Sequence, residues 1–76
     1  MKSKDEVEQK LEELRNQGRV IEEFTLGILL RQYVPGIEDN LNEHIRRAEE
    51  QCRKSKDPAA LKLLEEFIAL LKWVLE

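Results

Sequence analysis

One histidine, one cysteine, one tryptophan and four Glu-Glu pairs are the residues of this chain whose chemistry could amount to a function. A zinc or di-iron site on a helix needs ligands three or four residues apart, on one face. The positions at that distance from His44 hold Asn40, Leu41, Arg47 and Ala48, and none of them supplies a metal-binding partner. His44 therefore reads as a boundary residue beside Ile45. Cys52 follows eight residues later, roughly 12 Å along a helix axis, too far for a thiol–imidazole dyad. It continues the stripe Leu41, Ile45, Ala48 and reads as a small buried hydrophobe. The Glu-Glu pairs beginning at Glu12, Glu22, Glu49 and Glu65 point about 100° apart on a helix, as solvated faces do. Paired carboxylates catalyse only when a pocket holds them together. No catalytic residue, metal or other cofactor, and no small-molecule substrate, is expected.

The elements that carry these residues follow from composition. A chain of 76 residues holds one domain, 1–76, with a thin core. Apolar residues make up 41% and net charge is −3, which favours folding over disorder. The 13 basic and 16 acidic residues are interleaved, and the basic end of the third segment is interrupted by Glu49 and Glu50. No nucleic-acid footprint is written there. A single cysteine permits no internal disulfide and fits a reducing compartment. The charged start is not a signal peptide, and the apolar run Phe67 to Leu71 falls far short of the roughly 20 residues of a membrane span. A soluble, cytoplasmic protein that binds no membrane is the expectation.

Ser3 and Glu6 form a capping-box pattern, and Val7, Leu11 and Leu14 give the helix after it a narrow apolar stripe. Asn16-Gln17-Gly18 can close that helix. Against a break, Val7, Leu11, Leu14, Ile21 and Ile28 keep one heptad register. A single helix from Ser3 to Tyr33 would cost only about 1 kcal/mol for its internal glycine. The second segment, Val20 to Val34, ends at Pro35-Gly36, where Gly36 suits the positive φ of a type II turn. The third begins near Ile37 and carries Ile37, Leu41, Ile45, Ala48 and Cys52 as one seam, with its acids early and its bases late. Favourable i, i+4 pairs are Glu43–Arg47, Glu49–Arg53 and Glu50–Lys54. Asp57 caps the last helix, Pro58 is its first residue, and apolar side chains then cover about half its circumference to Leu75. The expected fold is all-α, an antiparallel bundle of four short helices. The alternative is three helices with a long first one.

Three features are not explained by such a bundle. Gly27 sits inside a helix, either for the close approach of a neighbouring helix or to admit a partner's side chain. Trp73 falls outside the apolar arc of its helix, and exposed Trp is enriched at interfaces. The second segment is apolar on both sides. Val20, Ile21, Phe24 and Ile28 share one face, and Leu26, Leu29, Leu30 and Tyr33 the opposite one. The thin stripes of the first and third helices offer too little surface to cover both. A partner face is therefore expected at Leu26, Gly27, Leu29, Leu30 and Tyr33, with Trp73 at its edge, for a second copy of the chain or an unknown protein.

The stretch Asp57 to Glu76 opens Asp-Pro-Ala-Ala-Leu-Lys-Leu-Leu-Glu-Glu. Its capped start and Leu-rich face resemble the hairpins of de novo designed helical bundles and designed helical repeats. The resemblance covers the last third of the chain and implies a stable scaffold with no native activity. Gly27, His44, Cys52 and the pair Asn40 and Asn42 depart from that style. They fit a natural sequence, or a design carrying a transplanted binding segment between Arg19 and Ile45. The expected function is a non-catalytic scaffold; the alternative is a helical module that binds a partner through its second helix.

Overall fold

Helices account for 80% of the chain: α1 (Lys4–Asn16), α2 (Val20–Arg31), α3 (Glu38–Lys54) and α4 (Pro58–Leu75), in the computed structural model, which describes residues 1–34 and 36–76. No strand occurs among the described residues. The fold is an all-α bundle of four helices, and Gly18 decides against the long first helix. Its φ of 69° is open to glycine at little cost. The Arg19 N–H donates to the Leu14 carbonyl (3.0 Å) and the Gly18 N–H to that of Arg15 (3.1 Å). These are the two bonds of a Schellman stop. Ser3 caps α1 through the Glu6 N–H, and Asp57 caps α4 through the Ala59 N–H. Helix α2 closes at Arg31, three residues before Val34. Gly36 has the expected positive φ of 89°, while the type II turn also involves Pro35, which lies outside the described residues.

The chain forms two helical hairpins, α1 with α2 and α3 with α4, which meet through α2 and α4. Their shared core holds Val7, Leu14, Leu26, Leu29, Ile37, Leu41, Ile45, Leu70, Leu71 and Val74. Full burial stops at Ala48 on α3 and begins only at Leu70 on α4. Helices of 13 and 12 residues are too short to cover partners of 17 and 18. The far end of the α3–α4 hairpin therefore projects beyond the core, with Leu61, Leu64 and Cys52 half-buried and Leu63 exposed. Helix α4 is thus a core helix along its second half only, and Cys52 is not the enclosed thiol its register suggested.

A short strap ties the chain start to this core. The Lys2 N–H donates to the Val74 carbonyl at 2.8 Å, and the Tyr33 hydroxyl donates to the Lys2 carbonyl. Burial raises the Tyr33 phenol above its ordinary value, and Glu38 and Glu6 add to the shift.

Candidate interaction surface

Helix α2 has two apolar faces, and the fold buries one of them. Leu26 and Leu29 are 0% and 8% exposed, in the shared core. Leu30 and Tyr33 pack against that core, half-buried. The opposite face looks outward, with Val20 69%, Ile21 57%, Phe24 69% and Ile28 41% exposed. The sequence reading expected a partner on Leu26, Leu29, Leu30 and Tyr33. The structure spends those residues on internal packing, so that assignment is corrected. The inward placement leaves no polar group stranded, because the half-buried Tyr33 hydroxyl donates to the Lys2 carbonyl.

Gly27 lies at the border of the outward face. A Cβ added there would meet nothing within 4 Å. Close approach of a neighbouring helix is therefore not its cause. The missing side chain instead opens a groove of ≈ 470 Å³ between α1 and α2, whose lining includes Leu11, Gly27 and Leu30, with Phe24 and Ile28 along its edge. Arg15, Glu23 and Arg31 rim it, and Arg15 holds Glu23 by a 2.9 Å ion pair. A second groove of ≈ 340 Å³ runs along the other side of Phe24 and Ile28, lined by Leu29, Leu41, Phe67 and Leu71 among others. Phe24 and Ile28 thus form an apolar ridge flanked by two furrows.

Trp73 belongs elsewhere. It is half-buried between α1 and α4, with the Lys2 and Lys10 ammonium groups 5.2 and 5.5 Å from its ring centroid. At such distances a cation is attracted by the ring face. The cleft lined by Trp73 also holds Arg19, Glu22 and Glu66. Trp73 therefore packs against the core at the junction of α1 and α4 and does not rim the outward face of α2.

The carboxylates are less uniform than their pairing in the sequence suggests. Glu22 on α2 and Glu66 on α4 line the same cleft. Glu22 is drawn below the usual carboxylate range, first by its own backbone N–H, then by Glu66, with Arg19 assisting at 3.1 Å. Glu66 is pushed above that range by its neighbour Glu22, with desolvation second. Two carboxyls brought to one cleft from different helices have no local signature in the sequence. The i, i+4 pairs Glu43–Arg47 (3.1 Å) and Glu50–Lys54 (3.4 Å) form as their spacing suggests, while Glu49 reaches across to Lys72 on α4 (3.6 Å). His44 is exposed. Among the described residues no group of three His, Cys, Asp or Glu could hold a metal ion, and no helix is long and apolar enough to cross a membrane.

No known protein family, curated protein or solved structure matches this chain.

Proposed function

We infer that this chain is a non-catalytic helical scaffold whose working surface is the outward face of α2, where a protein partner docks. The observation that carries the reading is the second apolar face of a helix whose first face already fills the core. Val20, Ile21, Phe24 and Ile28 lie together in water, and a contiguous patch of that kind on a small protein marks an interaction surface. The internal glycine supports the same reading. It lowers helix propensity and relieves no contact inside the chain. The designed-scaffold style of α4 fits the supporting half of this division, with the α3–α4 hairpin as platform and α2 as the presented element.

The test contrasts the two faces. Phe24→Gln with Ile28→Gln is expected to leave unfolding by urea within about 0.5 kcal/mol of the parent. Leu26→Ala is expected to cost about 2–5 kcal/mol, because its side chain is fully enclosed. The parent should enhance the fluorescence of an anilinonaphthalene sulfonate dye, and the double variant should lose that enhancement. A double variant as unstable as Leu26→Ala would make the outward face structural and end the reading.

A further inference from the structure

We propose that the occupant of this face is a second copy of the chain, packed antiparallel, α2 against α2, with Phe24 of each protomer seated over Gly27 of the other. The proposal deepens the docking reading and rests on it. Val20, Phe24, Gly27 and Arg31 lie four, three and four residues apart, the spacing of a helix–helix seam. That spacing is symmetric about its own midpoint. A two-fold axis between Phe24 and Gly27 therefore sets residue 24 opposite residue 27, and residue 20 opposite residue 31. The largest side chain of the seam then meets the only position that lacks one. The space is available, because nothing stands within 4 Å of a Cβ at Gly27 and the groove there is open. The self-complementarity is what an isologous interface requires.

Charge selects the same orientation. The acids of α2 lie in its first turn and Arg31 in its last. A parallel pair would bring Arg31 against Arg31 and Phe24 against Phe24, leaving the two glycines opposite one another. The antiparallel pair carries Arg31 to the Val20 end of its partner, within one turn of Glu23, and opposes the two helix dipoles. The exposed portions of Val20, Ile21, Phe24 and Ile28 amount to roughly 400 Å² per protomer, about half of a standard interface side. A face of that size, at the low end of specific interfaces, supports a weak dimer in concentration-dependent exchange.

Sedimentation equilibrium of the full chain from micromolar to millimolar concentration reads this directly. The parent is expected to move from monomer to dimer mass and no further. Phe24→Ala and Gly27→Phe should each weaken the dimer at least tenfold, the first by removing the knob and the second by filling its seat. The double variant Phe24→Ala/Gly27→Phe restores a large residue opposite a small one and should recover most of the affinity. A parent that stays monomeric at 1 mM overturns the second-copy proposal. If Phe24→Gln/Ile28→Gln is then as stable as the parent, the docking reading survives with a different occupant; if that variant unfolds, both fall. A dimer that Gly27→Phe strengthens, or that the double variant does not restore, overturns the antiparallel seam. Circular dichroism melts of each variant at monomer concentration separate loss of dimer from loss of fold.

Discussion

Gly27 forgoes helix propensity that any side chain would supply, yet its Cβ position faces open space. Gly27→Ala is therefore expected to stabilise the isolated protomer by up to about 1 kcal/mol. Urea unfolding at a concentration too low for self-association measures it. A destabilised variant would mean that a neighbour inside the fold needs the gap. The sequence marks Gly27 as unusual, and of the two causes open to it the close approach of a neighbouring helix is the one the structure removes. Close packing is the commoner reason for a glycine inside a helix, and the absence of a neighbour at Gly27 depends on tertiary structure that no local pattern carries. Trp73 was misassigned for a related reason. Its angular position on α4 is polar, but the side chain that covers it comes from Lys10 on another helix, and no single-helix projection contains that information.

Between elements, the contact of α2 with α4 carries a titrating pair. The signs for Glu66 and Glu22 oppose one another. A raised carboxyl stabilises the fold at low pH, and that contribution disappears as pH rises through its folded value. A lowered one contributes above its unfolded value and fails as pH falls through its folded value. Glu22 is favoured as the charged partner and Glu66 as the protonated one. Glu66→Gln keeps a hydrogen-bond donor toward Glu22 without the charge, so it is expected to be more stable than the parent at pH 7. The difference should narrow as acid protonates Glu66 in the parent. Paired urea melts at pH 7 and pH 4 check this, and a gap that widens in acid would contradict it. The elements themselves were legible from the chain. Gly18 stops α1, Asp57-Pro58 starts α4, and each works through backbone geometry within a few residues. Which face of α2 turns inward was not legible. Both faces carry four apolar residues, and the inward one is defined by core residues remote in sequence, among them Val7, Leu41 and Leu71.

Across the whole molecule, whose principal extents are 36 × 29 × 18 Å, the two hairpins meet around one shared core. Their junction holds the chain's one indole, set between ammonium groups that both precede Leu11. The protein thus contains its own optical gauge of hairpin docking. Undocking α1 from α4 would strip both cations from the ring and admit water, so the emission of Trp73 should shift to longer wavelength even while helicity persists. Fluorescence and far-ultraviolet circular dichroism recorded along one urea titration separate hairpin release from helix melting. Lys10→Met should move the emission of the folded state without touching the outward face of α2. Because that face lies away from the indole, self-association should leave the same signal silent. A single chromophore would then report internal assembly independently of any partner.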